Sequence, residues 1–376
     1  MRIIFHLPLD LEHSKIISGV SGSYLRPLKM RQAFEELGCV VDTVWGSASE
    51  RKKQIQKIKM NVSQGIRYDF IYSESSTMPT LLTEPSHLPI SPSIDFGFFR
   101  WAKGIGIPVG LFYRDIHWRF DQYKKQVSWL KRCVAVPFYN LDWIFYERLI
   151  DYLFLPNLKM LDELPRRWPK DRVFALPPGG ELLSAEMPIE HRLQENYPLR
   201  LIYVGGVTPP LYNLSLVFGG LAEFSSEQYE LTICCRKNDW QNCQESYNIP
   251  SNRTIRIVHK QADELKRLYL NSDVALLLFK PFPYWDFVLP LKLFEAICYE
   301  IPVLAGAGTA VGDFVEREGV GWVIKPEHNS FQRWLEFIIQ NPHEVEKKRH
   351  VLKKKAAHHT WRERARTAAK ILLGGT

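Results

Sequence analysis

The sequence predicts an α/β protein made of two doubly wound domains, and three observations support this. Short β-branched or apolar runs alternate with helical patterns along the whole chain, which is typical of parallel sheets built from crossover connections. Several runs are apolar throughout, as expected of strands that helices cover on both faces. The 376 residues are enough for two domains of ordinary size.

Twelve runs are predicted to be strands, six in each half of the chain. In the first half they are RIIFHL, VVDTVW, FIYSES, PVGLFYRD, DYLFLPN and RVFALPPG; in the second half they are RLIYVGG, ELTICC, IRIVHK, VALLLF, PVLAG and GWVI. Turn-forming and polar residues between the halves predict a linker near 181–198. We expect an N-terminal domain over 1–185, a C-terminal domain over 186–345, and a basic helical segment over 346–376 that returns toward the N-terminal domain.

The composition is that of a globular protein. Apolar residues make up 45% and charged residues 24% of the chain, which argues against disorder. No apolar run approaches the roughly 20 residues of a membrane-spanning helix, and the N-terminus lacks the features of a signal peptide. The six cysteines show neither a CxxC pair nor zinc spacing, so we expect reduced thiols and a cytoplasmic location.

The net charge of +8 favours an anionic partner. No nucleic-acid motif accompanies the basic zones, so we expect a phosphorylated small molecule or an anionic membrane surface and no nucleic acid. Between 114 and 148, basic and aromatic residues alternate. This mixture is typical of a peripheral membrane interface, and it also suits ordinary domain helices with aromatic cores.

Two glycine-containing turns could hold an anion. In GVSGSYLRPLKM, Gly19 and Gly22 precede a helix whose N-terminal N–H groups favour phosphate. In YVGGVTPP, Gly205 and Gly206 follow a strand and would let a ligand approach the backbone. The alternative for each is a tight turn without a ligand.

Two further stretches place charges where α/β sheets bind ligands. Arg236 follows the strand ELTICC, at the carboxyl edge of the predicted sheet, although a solvated loop charge is the alternative. In PLKLFEAICYEIPVLAG, Pro290 suits a helix start, and Lys292 and Glu295 share one helical face. The lysine could contact a phosphate, and the glutamate could accept two hydrogen bonds from a ribose.

Pro290, Lys292, Glu295, Pro302 and Val303 resemble the Pro-x-Lys-x-x-Glu and Pro-Val donor-binding signature of retaining GT-B glycosyltransferases of the family-four group, the glycosyl transferases group 1. SGSYLRPLKMRQAFEELG and LPPGGE resemble the first glycine loop and the interdomain turn of the same family. The resemblance implies two Rossmann-like domains facing a cleft, with the acceptor on the N-terminal side and a nucleotide-sugar donor on the C-terminal side. It also implies hexosyl transfer with retention of configuration.

The resemblance assigns roles to individual residues. Glu295 would bind the ribose, and Arg236 and Lys292 would neutralise the diphosphate leaving group. The glycines expected at the donor are Gly22, Gly205 and Gly206. Because fixed cations can stabilise a departing diphosphate and no Asp-x-Asp stands at a strand end, we expect no metal and no cofactor besides the donor substrate.

The chain departs from the family pattern at two places. Phe287 stands where the family has its first glutamate, and we expect Asp286 to hold a hydroxyl of the donor sugar instead. Arg114 stands where the family often has histidine, which makes Asp115 and His117 candidate catalytic residues. The expected acceptor is a sugar, a glycolipid or a surface polysaccharide. Two alternatives stay open: a non-catalytic GT-B partner subunit and a nucleotide-sugar epimerase of the same architecture.

Overall fold

The computed structural model describes residues 1–9, 22–84, 86–89, 91, 93–183, 198–250 and 254–374. The chain divides into two compact units, one formed by Met1–Pro178 with Trp361–Thr376 and the other by Gly179–Thr360. The division thus falls at 178/179 and 360/361, whereas the sequence predicts 185/186 and 345/346. Gly180 and Thr360 form a β-bridge, so the chain enters and leaves the second unit side by side.

The first unit is built around a parallel sheet in the order β2-β1-β3-β4-β5-β6. Its strands are β1 (Arg2–His6), β2 (Val40–Val44), β3 (Phe70–Glu74), β4 (Val109–Phe112), β5 (Tyr152–Leu155) and β6 (Val173–Ala175). Its helices are α1 (Gly22–Glu36), α2 (Ala48–Ser63), α3 (Ile94–Gly104), α4 (Asp121–Gln126), α5 (Trp129–Leu149) and, from the end of the chain, α13 (Trp361–Leu372).

The second unit contains another parallel sheet, in the order β12-β11-β10-β7-β8-β9. Its strands are β7 (Leu199–Val204), β8 (Tyr229–Cys234), β9 (Ile255–Val258), β10 (Val274–Leu277), β11 (Val303–Gly306) and β12 (Gly321–Ile324). Its helices are α6 (Ser215–Leu221), α7 (Lys237–Cys243), α8 (Ala262–Leu270), α9 (Leu291–Cys298), α10 (Ala310–Glu318), α11 (His328–Gln340) and α12 (His343–Lys355).

The predicted α/β class is confirmed, because each of the twelve predicted runs overlaps one observed strand. Alternation along β7 shows why these strands are apolar throughout. Leu201 and Tyr203 belong to one hydrophobic core, and Ile202 and Val204 belong to the other. Successive side chains of a strand point to opposite faces, so helices on both sides of the sheet require apolar residues at every position.

Strand order marks one edge of each sheet as a place for ligands. In the second sheet β7 lies between β8 and β10, so the chain runs outward from β7 in one direction and then resumes on its other side at β10. In the first sheet the same reversal occurs at β1, between β2 and β3. Open α/β sheets bind ligands outside the carboxyl ends of the strands at such a reversal.

No helix within the described ranges combines the length and apolar character needed to cross a membrane.

Candidate functional site

Helix α9 presents the Lys292–Glu295 pair beside the strand reversal of the second sheet. Pro290 is the residue immediately before the helix, with φ −74° and ψ 150°, rather than a residue of its first turn. Leu293, Phe294 and Ile297 are fully buried. Lys292 and Glu295 are half-buried on another side of the helix, which explains how one short helix holds both a core face and a charged pair.

Lys292 extends from α9 to the turn that follows β7. A Cβ atom added to Gly205 would lie 3.1 Å from the Lys292 Nζ atom and 3.0 Å from the Tyr203 hydroxyl. The Gly205 N–H donates to the Cys234 carbonyl at the end of β8, at 3.0 Å. A side chain at position 205 would therefore crowd the ends of the lysine and tyrosine side chains.

Gly206 has a different neighbour. A Cβ atom there would come within 2.6 Å of the Tyr212 ring, and the Tyr203 hydroxyl donates to the Gly206 carbonyl. Tyr212 also makes edge-on contacts with Phe279 and Trp285. Gly206 thus has a packing role in this structure, while its predicted role in ligand binding stays a prediction.

Arg236 brings a second cation to the same edge of the sheet. It immediately precedes α7, and its side chain is exposed. Burial lowers the pKa of Lys292, and the Arg236 charge lowers it further, whereas Glu295 acts in the opposite direction. Glu295 offsets part of the repulsion between the two cations, and a bound anion would relieve it further.

Glu295 completes the cluster on the side of α8. Burial raises the pKa of its carboxyl group, and the nearby Lys292 charge opposes that effect. The hydroxyl of Tyr269, which is 2% exposed, donates a hydrogen bond to Glu295. Sequence analysis missed Tyr269, because its spacing within α8 matches that of an ordinary core residue.

The turn from β11 to α10 contains the small-residue run AGAGTAVGD, which follows Pro302 and Val303 in the pattern that resembles the family. A Cβ atom on Gly306 would lie 2.2 Å from the Phe279 carbonyl oxygen. The buried Thr309 hydroxyl donates to the Gly306 carbonyl and accepts a hydrogen bond from the Gly312 N–H, which caps α10. Glycine is therefore required at position 306 by close backbone packing beside the end of β10.

Asp286 and Phe287 occupy opposite environments. Asp286 ends the short turn Pro283–Asp286 and is exposed, whereas Phe287 is 2% exposed and packs edge-on against Tyr284. The position at which the family has an acid is therefore part of the core in this chain. The carboxylate next to it is accessible to a ligand.

The three candidates in the first unit lie on two elements. Gly22 is the first residue of α1, and the loop before it, including Gly19, lies outside the described residues. Asp115 and His117 follow β4. The Asp115 carboxylate accepts a hydrogen bond from the His117 N–H at 3.0 Å and lies 3.7 Å from the His117 Nδ1 atom.

Arg114 belongs to a buried ion network that the sequence analysis did not foresee. Glu74, at the end of β3, is fully buried; its carboxylate lies 3.2 Å from an Arg114 Nη atom and 3.3 Å from the Arg26 Nε atom. The Tyr72 hydroxyl donates to Glu74 at 3.0 Å. The Arg26 guanidinium stacks 3.4 Å from the centre of the Phe112 ring. The signal available in the sequence was the presence of a charged residue, Glu74, inside the predicted strand FIYSES.

Among the residues that the structure describes, no group of three or more His, Cys, Asp or Glu side chains is arranged to hold a metal ion. The predicted metal independence remains a prediction.

Comparison with known proteins agrees with this architecture. Residues 195–359 match the family model for glycosyl transferases group 1. Sucrose-phosphate synthase from Thermosynechococcus elongatus superposes with a TM-score of 0.62 at 12% identity, over 99% of this chain and 98% of that one. HepE from Anabaena, solved with UDP and glucose, gives 0.60 at 13% identity over 100% of both chains. No curated protein matches the sequence.

A third similar structure is WaaG, a glycosyltransferase involved in lipopolysaccharide biosynthesis, with a TM-score of 0.58 at 12% identity over 99% of this chain and 100% of that one. The chain therefore has the GT-B fold, and its second unit carries the sequence pattern of the glycosyl transferases group 1.

Proposed function

We propose that this protein is a glycosyltransferase that moves a hexosyl group from a nucleotide sugar to an acceptor without a metal ion. The observation that carries the proposal is the approach of Lys292 to Gly205 at the strand reversal, with the Arg236 charge close enough to lower the pKa of the lysine. The match to glycosyl transferases group 1 and the UDP and glucose bound to HepE support the same conclusion.

The proposed chemistry follows from these charges. When the bond between the sugar and the phosphate breaks, the diphosphate gains negative charge, which Lys292 and Arg236 stabilise in the manner of a metal ion. Glu295 accepts hydrogen bonds from the ribose hydroxyls, with Tyr269 orienting its carboxylate. Gly205 lets the diphosphate approach the backbone.

The sugar and acceptor side of the proposal uses the accessible carboxylates. Asp286 holds a hydroxyl of the donor sugar, and Asp115 and His117 contact the reacting sugar or its acceptor. The acceptor is a glycolipid or a surface polysaccharide, the reaction retains configuration, and the enzyme works in the cytoplasm. Retention and the acceptor class rest on the resemblance to the family.

The test is donor turnover with a panel of UDP-, GDP-, ADP- and dTDP-sugars in the presence of a chelator, following nucleoside diphosphate release and the identity of the sugar. We expect slow release of diphosphate from one donor, lost in Lys292→Met and retained in Lys347→Met, whose lysine is exposed on α12. Interconversion of two donor sugars would instead identify an epimerase. Turnover of no donor would favour the non-catalytic subunit.

A further inference from the structure

Helix α5 changes character along its length. Its second half packs normally, with Tyr139, Trp143 and Tyr146 buried. Its first half exposes three large apolar residues: Trp129 is 64% exposed, Leu130 62% and Val134 52%. Cys133 and Pro137 are exposed as well.

The exposed apolar residues form one stripe. At about 100° per residue along an α-helix, positions 129, 130, 133, 134 and 137 fall within an arc of about 140°. The rest of the circumference carries the half-buried Ala135, Val136 and Phe138 together with Lys131 and Arg132. The first half of α5 therefore exposes an apolar stripe of the kind that a helix normally buries.

Exposed cations lie close to the stripe in the sequence. Lys131 lies in α5 beside it, and Lys124 and Lys125 lie on the preceding helix α4. Across 114–132 the sequence contains six Lys or Arg residues and two acids. One of these acids, Asp121, is paired with Lys124 at 2.6 Å. An apolar stripe within a positive surface has the chemistry of an interface with anionic lipid.

We propose that the first half of α5 docks onto the anionic headgroup layer of a phospholipid bilayer, with Trp129, Leu130 and Val134 entering the boundary between headgroups and acyl chains. A stable protein interface takes about 20–30 residues on each side, many more than this stripe supplies, whereas a bilayer accommodates a short apolar stripe with flanking lysines. The inference goes beyond the proposed function and does not depend on it.

The test is sedimentation of the full chain with vesicles of phosphatidylcholine alone and of equimolar phosphatidylcholine and phosphatidylglycerol, at low and high salt. We expect binding to the anionic vesicles that weakens as salt rises. The double variant Trp129→Ser/Leu130→Ser should reduce partitioning about tenfold or more, because apolar burial drives insertion. Lys131→Glu should reduce it several-fold. The matched control Met60→Ser, which alters an exposed apolar residue on α2, should bind as wild type.

Cys133 offers a direct report of insertion. It is exposed, and the other five cysteines are buried, so a polarity-sensitive dye attaches selectively there. Anionic vesicles should shift its emission to the blue. The docking proposal is overturned if wild type fails to bind anionic vesicles at low salt, if Trp129→Ser/Leu130→Ser binds as tightly as wild type, or if light scattering shows a dimer that this variant abolishes. Donor hydrolysis should be the same in wild type and in Trp129→Ser/Leu130→Ser. A loss of membrane binding can therefore be distinguished from a failure of the proposed function.

Discussion

At the scale of single residues, Lys292 has an environment unlike that of a surface lysine. Burial lowers its pKa, Arg236 adds to that effect, and Glu295 opposes it. A lysine with a lowered pKa loses its proton at a lower pH than an ordinary lysine. A diphosphate held by this ammonium group should therefore bind more weakly as pH rises from neutral into the alkaline range.

Lys292→Arg should remove this pH dependence, because an arginine side chain keeps its charge throughout the range. Calorimetric titration with UDP at several pH values measures the effect, and Lys347→Arg serves as a control that should keep the wild-type profile. An identical decline in affinity in wild type and Lys292→Arg would show that Lys292 does not titrate at the binding site.

Glu300 provides a second prediction at this scale. Its φ of +57° is left-handed, directly after the end of α9, which costs a residue with a side chain about 1–2 kcal/mol. Glu300→Gly should raise the free energy of unfolding by about 1 kcal/mol, after allowing for the greater freedom of glycine in the unfolded chain. Urea unfolding would detect this. Glu300→Ala removes the carboxylate but keeps the strain, so equal stabilisation by Ala and Gly would contradict the explanation.

Part of the candidate site could be predicted from local sequence. Lys292 and Glu295 share a helical face by spacing alone, and Arg236 follows a recognisable strand. Tyr269 and the packing of Lys292 over Gly205 could not be predicted, because each joins segments far apart in the chain. The burial of Phe287 could not be predicted either, because it depends on how distant segments pack in the folded core.

At the scale of secondary-structure elements, every strand was predictable, most of them because cover on both sheet faces leaves a nearly continuous apolar run. The ion network of Glu74 was not, because the arginine partners of Glu74 come from α1 and from the loop after β4. The exposure of the apolar face at the start of α5 could not be predicted either, since sequence periodicity does not show which side of a helix the fold covers.

The Glu74 network should stabilise the first unit by joining these elements. Glu74→Gln leaves Arg26 without its buried counter-charge, and breaking a buried ion pair costs about 3–5 kcal/mol. Urea unfolding of this variant should show a clear loss of stability, whereas Glu36→Gln, at the exposed end of α1, should unfold like wild type. A difference below about 0.5 kcal/mol between the two variants would contradict a stabilising role, because it is within the range of ordinary surface substitutions.

At the scale of the whole molecule, two parallel sheets share one chain, with the second unit inserted between two segments of the first. Both sheets have a strand reversal, and Lys292 and Arg236 lie at that of the second sheet. The net charge of +8 favours anionic partners for the molecule as a whole. Lys292 and Arg236 are the cations at which we expect such a partner to bind. The central claim is that the site at Lys292 and Arg236 binds a nucleoside diphosphate without a metal ion.

Calorimetry of nucleoside diphosphate binding to the full chain, with a chelator present, tests that claim most directly. We predict binding by wild type and by Glu316→Gln, an exposed control on α10. Glu295→Gln should bind about tenfold or more weakly, because a hydrogen bond to a charged group contributes about 1.5–3 kcal/mol. Unchanged affinity in Glu295→Gln, or binding that appears only when Mn²⁺ is added, would contradict the account.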